Sequence, residues 1–192
     1  MTQAAEILRV FGRAWLVGGA VRDAKLGRPV KDLDLAVEGV PDFKERVSRL
    51  GRRLGAAAFP LDEERGVYRL SPRPGGPEGG IQLDISPFQG KDLRSDLLRR
   101  DFTINAMALP LAPSFRPVPA KKPGLFRLPS PDRTALIDPA LGLKDLRSGT
   151  VRMVSPSAFS EDPLRLLRAF RFASSLGFGI APGTMKRIRS EA

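Results

Sequence analysis

The chain has 192 residues, a formal charge of +11 at neutral pH, and neither histidine nor cysteine. Those absences exclude imidazole acid–base catalysis, thiol nucleophiles, disulfides and zinc sites, which leaves carboxylates, arginines and an external metal as chemical tools. The positive charge favours a polyanionic partner, no apolar run is long enough to span a bilayer, and no signal peptide opens the chain, so a cytoplasmic protein is expected.

Ala14 to Val17 is a short apolar run that predicts a strand. Gly18 and Gly19 permit a tight turn and a close backbone approach to a ligand. Ala20 to Leu26 then predicts a helix closed by Gly27. A helix N-terminus offers free N–H groups and a partial positive charge, which suit phosphate, and Arg22 adds a permanent cation one turn in. A glycine pair before a helix is, by itself, more often a tight turn and nothing more. In the strand that follows, Leu33, Leu35 and Val37 face the core, so Asp32 and Asp34 share the other face. Two carboxylates so placed repel each other. Magnesium removes the conflict, because it takes one or two carboxylates together with phosphate oxygens and water.

Asp42 to Leu54 predicts a helix, with Phe43, Val47, Leu50 and Leu54 at helical spacing. Gly66 to Leu70 and Ile81 to Ser86 predict strands joined by the turn-rich stretch 72–77. Asp84 falls on the polar face of the second strand. It joins Asp32 and Asp34 as a third metal-ligating candidate if the strands are neighbours, and is otherwise an ordinary surface acid. Asp92 to Arg99 predicts a helix, and the alternation in Phe102 to Leu109 predicts a strand. Pro110 to Arg133, rich in proline and basic residues and without periodicity, predicts a long loop or insertion.

Further on, Ser160 is the predicted N-cap of a helix with Pro163 in its first turn. Asp162 and Arg165, three apart, are neighbours on its surface. A carboxylate accepts from an exocyclic amino group while a guanidinium donates to a ring nitrogen, a pattern that cytosine and adenine satisfy. Uracil and guanine present the opposite polarity and leave both protein groups unpaired. Arg165, Arg168 and Arg171 are interleaved with Leu164, Leu166, Leu167, Phe170 and Phe172, so the arginines are expected to face a ligand.

Three motifs carry a resemblance. Gly18-Gly19-Ala20-Val21-Arg22-Asp23 with Asp32-x-Asp34, then Arg99-Arg100-Asp101-Phe102-Thr103-Ile104-Asn105-Ala106-Met107, then Glu161-Asp162-Pro163-Leu164-Arg165-Leu166-Leu167-Arg168-Ala169 resembles the class II tRNA nucleotidyltransferases. Those enzymes share the polymerase-beta-like nucleotidyltransferase superfamily with bacterial poly(A) polymerases. The resemblance implies an α+β fold: a mixed-sheet nucleotidyltransferase head over 1–150, containing the 110–133 loop, and the start of an all-helical neck over 151–192. It also implies that Asp32 and Asp34 are the catalytic, metal-binding pair, loaded with Mg2+. Gly18, Gly19 and Arg22 look like triphosphate contacts. Arg100 is similar to the arginine that meets the nucleotide, and Asp101 to a group linked with ribose recognition. Asp162, Arg165, Arg168 and Arg171 look like the segment that selects the base and holds the phosphates.

The implied reaction adds C (as CC, or CCA) to the 3′ end of tRNA from CTP, and from ATP for the last step, with release of pyrophosphate. The short stretch Ser86 to Leu98 resembles CC-adding members, because enzymes that build the whole CCA end carry a longer loop there. Rival readings are a poly(A) polymerase and an inactive RNA-binding module. Family members continue well past this point into helices that grip tRNA, so the chain is expected either to be a piece ending just after the selecting helix or to rely on something else to hold RNA.

Overall fold

Period-two alternation sets the centre of the molecule, a mixed sheet whose two faces carry different chemistry. The computed structural model describes residues 2–73, 81–129 and 135–191. In chain order, α1 (Gln3–Phe11) leads into β1 (Ala14–Val17), α2 (Gly18–Lys25), β2 (Asp32–Val37) and α3 (Phe43–Leu54). Next come β3 (Ala56–Asp62), β4 (Val67–Pro72), β5 (Gln82–Pro87) and α4 (Leu93–Leu98). A 3-10 turn (Thr103–Asn105) precedes β6 (Ala108–Pro110), β7 (Val118–Pro119) and β8 (Phe126–Arg127). The rest is α5 (Gly142–Arg147), β9 (Thr150–Val151), α6 (Ala158–Glu161), α7 (Leu164–Leu176), β10 (Gly179–Ile180) and α8 (Pro182–Glu191).

Among the described residues the main sheet has six strands in the order β3-β4-β5-β2-β1-β6. β2 and β5 run parallel, and the other neighbours are antiparallel. Leu33, Leu35 and Val37 of β2 and Leu83 and Ile85 of β5 turn to one face. There they join Ile7, Val10 and Phe11 of α1 and Val47 and Leu50 of α3 in the main core. Alternation sends Asp32, Asp34 and Asp84 to the opposite face. That face also carries a small apolar cluster of Trp15, Val17, Ala36, Leu97 and Ala108. The fold is the expected α+β arrangement around a mixed sheet, and the predicted helices and strands up to α4 are present with ends shifted by one or two residues. β3 had no signal in the sequence, because five of its seven residues are exposed and nothing alternates.

Several local expectations change. Phe102 to Leu109 is not one strand. The Asp101 carboxylate accepts from the Phe102 N–H at 2.8 Å and from the Asn105 amide at 3.0 Å, and such local bonds favour a turn over extended chain. Ala108–Pro110 pairs with β1, and Phe102 makes only an isolated bridge to Met153. Ser160 is not an N-cap either: it lies within α6, and its hydroxyl donates to the Ser157 carbonyl at 3.0 Å. α7 starts after Pro163, with Asp162 Oδ1 accepting from the Leu164 N–H at 3.0 Å.

The glycine pair forms the first turn of α2 rather than a bend ahead of it. Within 110–133, β7 and β8 form a short hairpin, and buried Phe126 bridges to Val30. Residues 130–133 of that predicted loop, and 74–77 of the predicted turn, lie outside the described residues. Past residue 150 the helices are interrupted by the parallel pair β9–β10. No helix of the described residues is long and apolar enough to cross a membrane.

Candidate nucleotide and metal site

β1 delivers the chain to Gly18 directly above β2, because Val17 pairs with Asp34 across the sheet. Gly18 has φ +65°. A Cβ there would stand 3.0 Å from Asp34 Oδ2 and 3.1 Å from Arg100 Nη1. Both the backbone angle and the available space therefore require glycine. The Gly19 N–H favours the ionised form of the Asp34 carboxylate. The first turn of α2, one acid of the pair and the arginine of the Arg-Arg-Asp motif thus meet at one point.

Around that point lies an open cleft of about 440 Å³. Of the residues singled out from sequence, it is lined by Gly18, Gly19, Arg22, Asp34, Asp84, Arg100, Asp101, Asp162, Arg165 and Arg168. Asp32 and Arg171 are not among the lining residues. Asp32 shares the Asp34 face of β2, while the Arg171 guanidinium sits 5.0 Å from the Phe172 ring. The large apolar neighbours expected to enclose the α7 arginines are partly in solvent, with Leu164, Leu167 and Phe170 exposed. The direction of the arginines is set by specific partners instead.

Those partners are readable one by one. Arg22 is buried; its Nε and Nη2 donate to Asp23 at 3.0 and 2.9 Å, and Nη1 donates to Asn105 Oδ1 at 2.7 Å. One N–H on each terminal nitrogen is left over, beside Gly19, whose Cβ position is 3.5 Å from Nη2. Arg100 is steadied by buried Asp96 one turn earlier, at 3.2 and 3.3 Å. Arg165 donates to the Ala158 carbonyl at 3.0 Å and holds its Nε 3.7 Å from Asp162 Oδ2. The Asp–Arg pair is therefore formed on the cleft wall.

Asp101 is buried and saturated. Oδ1 accepts from Phe102 and Asn105, and Oδ2 accepts from Arg168 Nε at 2.8 Å and lies 2.6 Å from its Nη2. A carboxylate has about four such sites, so here Asp101 acts to aim Arg168 and Asn105. Asn105 and Phe172, together with Arg65 and Ser86, also line the cleft and were not assigned from sequence. Asn105 carried a usable signal, standing four residues after Asp101 in a quoted motif. Phe172, with the guanidiniums of Arg22 and Arg168 at 5.1 and 5.4 Å from its ring, had none beyond a core-like position.

Burial pushes the Asp34 carboxyl up from 3.8 to about 6. The Asp84 and Asp32 charges add to the rise, while Arg100 and the Gly19 N–H oppose it. Among the described residues no three His, Cys, Asp or Glu side chains group into a metal cage. Asp32 and Asp34 instead offer two carboxylates, a donor set that fits a hard divalent cation completed by phosphate oxygens and water.

A pH dependence follows. Between 3.8 and about 6 the folded chain keeps a proton on Asp34 that the unfolded chain has lost. Stability therefore falls as pH rises through that window and stays lower above it, by something on the order of 3 kcal/mol. A divalent cation should restore the loss, so magnesium should raise the melting temperature more near neutral pH than near pH 5. Equal shifts at both pH values would contradict this assignment of Asp34.

Comparison with known proteins gives an independent view of the chain. The family described as the poly(A) polymerase head domain matches residues 14–68 and 83–152. The CC-adding tRNA nucleotidyltransferase of Geobacter sulfurreducens is 38% identical over 182 residues, covering 95% of this chain and 36% of that protein. The multifunctional CCA protein of Hahella chejuensis is 41% identical over 184 residues, covering 91% and 37%. A solved tRNA-processing enzyme with CTP superposes with a TM-score of 0.72 at 35% identity, covering 97% of this chain and 45% of that one. The chain thus spans little more than a third of the length of these curated relatives.

Proposed function

The chain belongs to the poly(A) polymerase head-domain family, and on that premise we propose that it carries the catalytic head of a template-independent tRNA nucleotidyltransferase. Its substrates are CTP and the 3′ end of tRNA, which it extends by two C residues. The attacking RNA 3′-hydroxyl forms a bond to the α-phosphorus of CTP, the bond to the bridging oxygen breaks, and pyrophosphate leaves. In this reading residues 1–150 form the head, and residues 151–192 begin a neck that holds the base-selecting helix.

The observation that carries the reading is the convergence at Gly18, the first residue of α2, where the Asp34 carboxylate and the Arg100 guanidinium both come within about 3 Å of the Cβ position. Asp32 and Asp34 would hold magnesium, which when bound neutralises charge at phosphorus and lowers the pKa of an attacking hydroxyl. The free N–H groups of Arg22 and of the α2 N-terminus bind the triphosphate. Asp162 and Arg165 read the Watson–Crick edge of the base, and Arg168, aimed by Asp101, supplies a further cation at the cleft.

Transfer to tRNA lacking its 3′ end, with each nucleotide offered separately, tests the proposal. Addition that stops after two C residues is expected from the short 86–98 segment. A long A tract would favour a poly(A) polymerase, and CTP binding without transfer would favour a binding module. In the same assay Asp162→Ala should narrow the preference for CTP over UTP by about tenfold to a hundredfold, the worth of one charge-assisted hydrogen bond. An unchanged preference would reject the base-reading role.

A further inference from the structure

One row of side chains crosses four strands on the cleft face of the sheet. Val17 pairs with Asp34, Asp34 with Asp84, and Asp84 with Arg69. Arg69, on β4, donates from Nε and Nη2 to the two Asp84 oxygens at 2.7 and 2.6 Å. With its amide turned to face the guanidinium, Gln82 on β5 accepts from Nε and Nη1 at 3.1 and 3.2 Å. The ion pair is well covered, with the Asp84 side chain 13% exposed and that of Arg69 28%. A fork with two parallel bonds is the most specific geometry available to an arginine and a carboxylate.

We propose that Arg69 is a positioning residue that serves as a built-in counter-cation for Asp84, so that a divalent cation is held by Asp32 and Asp34 without Asp84. The inference rests on the nucleotidyltransferase reading and refines its metal site. Without a partner, Asp84 would sit beside Asp34 as a second carboxylate on the same wall, and the two negative charges would draw any cation between them. Arg69 cancels that charge from the far side and takes one acceptor site on each oxygen. Asp84 then acts as a fixed wall of the cleft, and the geometry of the cation is left to the two acids of β2. The residue types explain why a fixed charge is used: arginine stays protonated throughout the working range and keeps its fork rigid.

Removing the pair as a unit separates the alternatives, because the double variant leaves no orphaned buried ion. Mn2+ uptake, read by the loss of the free-ion electron paramagnetic resonance signal, is measured for wild type, Arg69→Gln and Arg69→Gln/Asp84→Asn, with and without CTP, with thermal melts as a check on folding. Arg69→Gln alone should tighten Mn2+ binding by about tenfold, since a freed carboxylate joins the site. The double variant should return to within about threefold of wild type. A double variant that loses tenfold or more shows Asp84 to be a ligand and overturns the inference, as does Arg69→Gln with unchanged or weaker binding. If wild type takes up no Mn2+ even with CTP, the nucleotidyltransferase reading fails instead.

Discussion

Asp34→Ala should lower nucleotidyl transfer by at least about a thousandfold, or roughly 4 kcal/mol of barrier, while leaving the chain folded. The group is half-buried against the diglycine turn, and the Arg100 charge and the Gly19 N–H favour its ionised form. No other acid of β2 occupies that point. Removing it takes away one of two carboxylates available for a cation at the reacting phosphate, where charge stabilisation is usually the largest contribution to rate. Stability should move the other way. Ionised Asp34 is held against burial and two neighbouring acids, so in the presence of a chelator near neutral pH the variant should melt at or above the wild-type temperature. Asp32→Ala should match the loss of activity with a smaller effect on melting. Substantial transfer by either variant would remove the pair from the mechanism, and a collapsed fold in Asp34→Ala would contradict the stability argument.

Gly142→Ala should be the most destabilising conservative change in the described chain. A Cβ at Gly142 would lie 2.0 Å from the Thr103 carbonyl oxygen and 2.8 Å from its carbon. Both atoms are backbone, so no side chain can rotate away. α5 cannot slide off either, because Asp145 accepts from the Thr103 hydroxyl at 2.7 Å and from Arg152 Nε, and Asp138 accepts from the Gly142 N–H. Overpacking against fixed atoms reaches about 3 kcal/mol, or roughly 6 to 12 °C in melting temperature for a chain of this size. The clash falls on the 3-10 turn that carries Asn105, so nucleotide binding should weaken along with stability. Gly183→Ala is the control: nothing lies within 4 Å of its Cβ position on α8, and it should be neutral or mildly stabilising. If the two substitutions shift melting equally, the close packing of α5 on the turn is wrong.

What the sequence made legible is what is written in consecutive residues. The alternation in β2 assigns Asp32 and Asp34 to one face, and the glycines that open α2 announce a close approach, so half of the cleft is legible in the sequence. Partners far apart in the chain could not be. Arg22 meets Asn105 across 83 residues, Arg168 meets Asp101 across 67, and Thr103 meets Asp145 across 42. None of these pairs leaves a periodic trace. The error over Phe102 to Leu109 has the same origin. Its alternation is real, yet the side chain of Asp101 captures the backbone and the Asn105 amide, and so bends the segment into a turn. Arg69 was invisible for a related reason, since only strand pairing reveals that it faces Asp84.

The most direct test of the central claim is equilibrium binding of CTP to wild type and Asp34→Ala, in magnesium and in chelator. Wild type should bind at least about tenfold more tightly with magnesium, and the variant should show no such difference. Binding that is indifferent to magnesium in wild type, or equally dependent on it in the variant, would contradict the account.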